Sequence, residues 1–241
     1  MSWQLPDSPL LGRALVAQSL GIVAAGATAS LVALLVPTSQ AYLIKATLAC
    51  AAINVIAVGY LRAHHPFEYF GPANLVTTGR AVFVAVVAAL VGEVRSDGVA
   101  WTAAILTVVA TALDGVDGWL ARRTSMTSPF GERYDMETDA LLILILAVLA
   151  WQHGKAGAWI VLAGSMRYFF VFAGYVWRWM TAPLPPSVRR KAVCVVQIAG
   201  LGLVVSPLVS GAASAAVAAV TLTALTWSFA VDVLWLERRR A

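Results

Sequence analysis

Six of the twelve acidic residues in this chain fall between positions 114 and 139. Four of them are paired, Asp114 with Asp117 at i, i+3 and Asp135 with Asp139 at i, i+4. Either spacing puts both carboxylates on one face of a helix. The polar stretch 123–130 makes those two helices antiparallel neighbours. By helical rise, Asp114 and Asp139 each lie about 12 Å in from that connection, so all four carboxylates can converge at one level. Left uncompensated within a membrane, each would cost about 2.5–3.5 kcal/mol even on lenient insertion scales. Something positive must therefore hold them together. An all-oxygen donor set suits hard divalent cations, and Mg²⁺ is typically shared between carboxylates and substrate phosphates. Two such ions can stabilise the attacking and leaving oxygens of a phosphoryl transfer. Gly118, Ala121 and Gly131 leave room for a flat ligand against the backbone, and Arg122 offers a guanidinium fork for phosphate. Small-residue helix packing with carboxylates paired to arginines is the competing explanation. It accounts for the glycines but not for four acids in register. Glu137 is out of phase with Asp135 and Asp139 and does not join them.

The elements that carry these residues follow from composition. Of the 241 residues, 60% are hydrophobic and 12% charged, and mean hydropathy is +0.80. Soluble domains carry about 25% charged residues, which excludes a soluble globular protein, a disordered chain and a coiled coil. Cys50 and Cys194 lie far apart in apolar stretches, which excludes a disulfide scaffold and a zinc cluster. Apolar runs predict eight transmembrane helices, at about 14–36, 42–61, 74–92, 98–122, 132–152, 157–179, 189–208 and 212–235. Of 17 basic residues, 13 fall at one set of helix ends, Arg62, Arg80 and Arg122 among them, and only Arg95 and Lys155 in the opposite loops. That asymmetry predicts both termini in the cytoplasm and an even number of spans. The net charge of +5 thus reflects topology and anionic lipid, not nucleic acid. Residues 62–73, with Phe67, Tyr69 and Phe70, form a cytoplasmic interfacial segment. Within it His64 and His65 are adjacent, point to different sides and are expected near headgroups rather than on a metal.

The spacing D-x2-D-G-x2-A-R-x8-G-x3-D-x3-D is met at all eight specified positions over 26 residues, from Asp114 to Asp139. It resembles the signature of the CDP-alcohol phosphotransferase superfamily, the CDP-alcohol phosphatidyltransferases. Asn74, Thr77 and Arg80 resemble the N-x2-T-x2-R stretch that opens the first family helix, and residues 191–197 resemble the lysine-to-glutamine stretch of the fifth. The resemblance implies an all-α polytopic membrane protein with a six-helix catalytic core over 72–241, short basic tail included. Residues 1–71 would supply two extra N-terminal helices and the interfacial segment. It implies an enzyme dependent on two Mg²⁺ or Mn²⁺ ions that moves a phosphate-linked group from a CDP-alcohol to a second alcohol and releases CMP. By the same resemblance Asp114, Asp117, Asp135 and Asp139 bind the metals, and Asp139 is also the general base. Thr77, Gly118, Ala121, Arg122 and Gly131 would line the CDP pocket. A homodimer is expected by family analogy, in a bacterial or archaeal cell membrane, and the charge asymmetry puts the site on the cytoplasmic side.

The donor is expected to be CDP-diacylglycerol in phospholipid synthesis, with a water-soluble CDP-alcohol as the alternative. Asp135-Met-Glu-Thr-Asp139 lacks the Pro or Ser that follows the third Asp in better-known glycerophosphate and serine transferases, which leaves the acceptor open. Arg167 lies about 18 Å into its helix, and an arginine so deep needs an anionic partner. With Arg133, Arg189, Arg190 and Lys191 it could form a basic pocket for a phosphorylated polyol; a structural ion pair is the alternative. Two other function classes are a transporter, disfavoured because no repeated halves are found, and an inactive assembly partner, disfavoured because all four aspartates are present.

Overall fold

A computed structural model describes residues 8–240. Residues 1–7 and 241, assigned above to the N-terminal pair and the basic tail, lie outside the described residues, as does the side chain of Arg62. Eight α-helices follow in order: α1 (Ser8–Leu35), α2 (Tyr42–His64), α3 (Pro72–Ala89), α4 (Asp97–Arg123), α5 (Pro129–Gln152), α6 (Val161–Val176), α7 (Val188–Val205) and α8 (Gly211–Glu237). Each matches an apolar run to within a few residues. The largest differences are α1, which starts six residues earlier than its apolar run, and α6, whose expected length is shared with 3-10 turns at Ala158–Ile160 and Arg178–Thr181. No strand occurs among the described residues. The protein is an all-α polytopic membrane protein, and among the described residues six helical stretches, α1 to α4, α8 and α6 together with the 3-10 turn before it (Ala158–Val176), are long and apolar enough to cross a membrane. The other two carry their charge at one end: α5 has Glu132 to Asp139, and α7 has Arg189 to Lys191.

The chain divides into two compact units within α5, after Asp139. In the first, α1, α2 and α3 pack on one another and α3 packs on α4. The inward face of α1 is a stripe of mostly small residues, Ala14, Gln18, Gly21, Ala25 and Ala29, which lets neighbouring backbones approach closely. Leu15, Leu20, Val23, Leu31 and Leu34 on its other faces are exposed, as suits contact with lipid. Leu10, Ala14 and Ala17 of α1 share a core with Ala57 and Leu61 of α2, Ala81 of α3, and Phe130 and Tyr134 of α5.

Both ends of this unit are tied. At one end Glu93 is buried; its carboxylate accepts from Ser39 N at 2.6 Å, Ser39 Oγ at 2.8 Å and Lys45 Nζ at 2.5 Å. That joins the α1–α2 turn to the α3–α4 turn. At the other end the segment 65–71 folds onto the α4–α5 connection. Arg13 Nη1 donates to the Glu68 carbonyl at 3.1 Å, and its guanidinium stacks 3.9 Å from the Tyr69 ring centroid. His65 is buried, not at headgroups: its Nε2 lies 2.8 Å from the Tyr69 carbonyl and its Nδ1 3.1 Å from Ser128 Oγ. Burial pushes its pKa below the ordinary 6.5, against the opposing pull of the Tyr69 hydrogen bond. His64 turns to the Tyr60 carbonyl instead.

In the second unit α7 and α8 pack together, with Gly200 against Thr221 where a Cβ would collide. Lys155, counted above as a loop base, is buried and donates to the carbonyls of Ser206 at 2.8 Å and Val209 at 2.5 Å, closing the end of α7.

Candidate functional site

The site is built by α3, α4 and the first turns of α5, all within the first unit. The connection between α4 and α5 fixes the two carboxylate-bearing helices. Ser125 takes a left-handed φ of 54°, and Met126 N donates to the Ala121 carbonyl at 3.2 Å, closing α4. Ser128 Oγ then accepts from Gly131 N at 3.0 Å and opens α5.

Asn74, Thr77 and Arg80 share the face of α3 turned to these helices. A Cβ on Gly131 would lie 3.0 Å from Asn74 Oδ1, so the glycine admits that approach. Thr77 Oγ1 donates to Asp117 Oδ2 at 3.0 Å. Arg80 has only 2% of its side chain exposed and sits among all four carboxylates. Its Nη1 lies 2.9 Å from Asp114 Oδ1 and 2.8 Å from Asp117 Oδ2. It also pairs through Nη1 with Asp135 and through Nη2 with Asp139. Arg80 is thus not one of the bases at helix ends expected from the charge count. Arg80 lies as deep in α3 as Asp114 in α4, each about 12 Å from its helix end. The one clue was its place in N-x2-T-x2-R.

Asp114, Asp135 and Asp139 each offer a carboxylate oxygen, and these lie within 4.8 Å of one another. Three points so spaced have a common centre at most about 2.8 Å from each, near the 2.0–2.6 Å of hard-cation ligation. The donor set could therefore hold a hard divalent cation after a contraction of the trio. Asp117 stands beside this trio; it is buried, with its Oδ2 held by Thr77 and Arg80.

Gly118, Ala121 and Arg122 run along α4 from the carboxylates toward its end. A Cβ on Gly118 would lie 3.3 Å from Arg122 Nη1, so the guanidinium folds back over the bare glycine. Arg133 has its Nε 3.8 Å from Glu137 Oε1 and lies over the Tyr60 ring. Arg167, Arg189, Arg190 and Lys191 belong to the second unit. There Arg189 Nη2 and Arg190 Nη1 meet Asp232 Oδ1 at 2.5 and 3.2 Å, and Arg189 also donates to Ser228 Oγ at 2.6 Å. These two guanidinium groups are anchored to α8; Lys191 is exposed.

A family model of the CDP-alcohol phosphatidyltransferases matches residues 70–231, about two thirds of the chain. The chain belongs to the CDP-alcohol phosphatidyltransferase family. The match takes in all eight signature positions and the Asn74–Thr77–Arg80 face. Among curated proteins, the CDP-diacylglycerol–glycerol-3-phosphate 3-phosphatidyltransferase of Bacillus subtilis (strain 168) is 35% identical over 68 residues. That alignment covers 28% of this chain and 35% of the relative, so the chain spans about a third of the length of that protein. No solved structure matches the chain.

Proposed function

We propose that this family member transfers a phosphatidyl group from CDP-diacylglycerol to an alcohol and releases CMP, as a step of phospholipid synthesis. One observation carries the reading: four signature aspartates from two helices converge around the Arg80 guanidinium, with Thr77 bonded to Asp117. Asp114, Asp135 and Asp139 would hold one divalent cation, and Asp117 would complete the set for a second. When bound, Mg²⁺ or Mn²⁺ neutralises the pyrophosphate and the charge that develops on the departing CMP.

The chain's own residues do the rest. Gly118 and Ala121 would present the α4 backbone to the nucleotide as Arg122 swings from over Gly118 to offer its fork to a phosphate. Gly131 lets Asn74 pack against the start of α5 beside that pocket, and Thr77 orients Asp117. The acceptor oxygen attacks the phosphorus that bears the diacylglyceryl group, and the bond from that phosphorus to the CMP oxygen breaks. Asp139 takes the hydroxyl proton, and CMP leaves with the electron pair. Residues 72–241 act as the catalytic core and 1–71 as its support, in a membrane with the site facing the cytoplasm. The function named for the Bacillus relative supports CDP-diacylglycerol as donor and a phosphorylated polyol such as glycerol 3-phosphate as acceptor. Arg133 in the first unit and, separately, Arg167, Arg189, Arg190 and Lys191 in the second are the bases proposed for that phosphate. Arg133 is itself held by Glu137, and Arg189 and Arg190 by Asp232. A homodimer is proposed on family grounds.

The test is purified protein in detergent with CDP-diacylglycerol and a panel of free and phosphorylated alcohols. CMP release and product mass are followed with Mg²⁺, Mn²⁺ or EDTA. Metal-dependent CMP release with one phosphatidylated product supports the reading. Release unaffected by EDTA, or none with any acceptor, refutes it.

A further inference from the structure

We propose that Arg80 is the built-in counter-ion of the metal-free site, and that a divalent cation must expel its guanidinium from the carboxylates to bind. The inference rests on the metal reading above and adds a residue that competes with the metal. Arg80 pairs with Asp114, Asp135 and Asp139, the same three carboxylates whose oxygens lie within 4.8 Å of one another. A guanidinium and a cation cannot both occupy the space among them. Without the metal, one positive group faces four negative ones on helices deep enough that any uncompensated acid is costly. Arg80 is therefore required where it is when the metal is absent. Yet this position does not satisfy the side chain: its Nε is buried with no hydrogen-bond partner. A buried unmade donor is a standing cost, so the guanidinium is held here by charge rather than by a complete set of bonds. A doubly charged ion outcompetes it for the same oxygens.

The displacement has a chemical consequence. Arg80 Nη2 donates to Asp139 Oδ1, the carboxylate proposed to take the acceptor's proton. While that bond stands, the oxygen's lone pair is engaged. Expelling Arg80 releases Asp139 from the guanidinium, so that one carboxylate oxygen can hold the metal while the other takes the acceptor's proton; without the metal the base stays engaged.

The experiment uses metal-stripped full-length protein in detergent. Mn²⁺ binding is read from the electron-spin signal of the free ion, and thermal unfolding is followed with and without Mn²⁺. Arg80→Gln is expected to bind Mn²⁺ at least tenfold more tightly than the wild type. Its metal-free unfolding temperature should fall, and Mn²⁺ should restore most of the loss. Arg80→Lys keeps a charge without the fork and should fall between the two. If Arg80→Gln does not survive metal removal, Arg80→Lys carries the affinity comparison, and it too must bind more tightly than the wild type. Equal or weaker binding in the variants would show that Arg80 shapes the carboxylates for the metal and would overturn the inference alone. If neither the wild type nor any variant binds Mn²⁺, the metal reading falls and takes this inference with it.

Discussion

Asp117 and Asp135 are both signature aspartates, but their surroundings predict different losses when each is changed to Asn. Asp135 is one of the three carboxylates whose oxygens lie within 4.8 Å of one another. An ion among them would be at most about 2.8 Å from each. There a divalent charge and a carboxylate attract by about 12 kcal/mol at an effective dielectric of about 20. If desolvation cancelled three quarters of that, about 3 kcal/mol would remain, roughly a hundredfold in affinity. Asp135→Asn should therefore weaken the tighter Mn²⁺ site by about a hundredfold or more. Asp117 stands outside the trio, held by Thr77 at 3.0 Å and Arg80 at 2.8 Å. Asp117→Asn should lower the number of bound ions from two to one and leave the remaining site within about tenfold of wild type, as for a supporting residue. Turnover should collapse in both, because a single ion cannot serve both the attacking and leaving oxygens. Isotherms from free-Mn²⁺ spin signals, alongside CMP release, separate the cases. The division of labour is wrong if Asp117→Asn abolishes all binding, or if Asp135→Asn keeps both ions.

Asp139→Asn should cut turnover by about 10²–10⁴-fold as the loss of a general base, with CDP-donor binding by titration largely kept; a steeper fall would mark a metal role as well. Because burial lowers the pKa of His65 below 6.5, the unfolded chain binds a proton that the folded chain does not. Stability from this group is complete above about pH 6.5 and drains away as pH falls below it. The wild type should therefore show a drop in unfolding temperature on acidification that His65→Gln lessens, and identical pH profiles would contradict this. Lys45→Met should destabilise the protein by about 1–3 kcal/mol, since it leaves the buried Glu93 carboxylate short of a charged donor. Adding Glu93→Gln should recover part of that in thermal unfolding, and a double variant worse than either single one would count against the clamp.

Much of the site could be read from spacing because helices make spacing geometric. Asp114 with Asp117 and Asp135 with Asp139 share faces by period alone, and the short polar turn between them fixed their common depth. Helix positions were legible for the same reason, since lipid demands long apolar runs with charges at the ends. Interactions between distant residues were not legible. Arg80 looks in the sequence like any base near a helix start, and only tertiary packing shows that its depth equals that of the acids. Lys45 and Glu93 form a pair 48 residues apart, joined only once α2 lies beside α3. His65 looked interfacial because its neighbours are aromatic and polar, whereas Ser128 and the Tyr69 carbonyl draw it inward. The replacement of both ends of the expected sixth helix by 3-10 turns left no clear mark, because 157–179 has no proline or polar cluster at either break.

The Lys45–Glu93–Ser39 clamp also bears on how the gene could be trimmed. A chain cut back to the stretch that matches the family would keep every signature residue and look complete on paper. It would also strand the Glu93 carboxylate without its ammonium and bare the Tyr134 and Thr78 hydroxyls, now 3.5 Å apart, once α1 and α2 no longer cover that side. The hydroxyls would then meet acyl chains that cannot solvate them, and the carboxylate would lose the bonds that join the two turns. The first two helices are thus part of the insulation of the catalytic helices, and a shortened enzyme would need the α3 face redesigned as lipid-facing surface, and the Glu93 turn given a new partner, before it could stand alone.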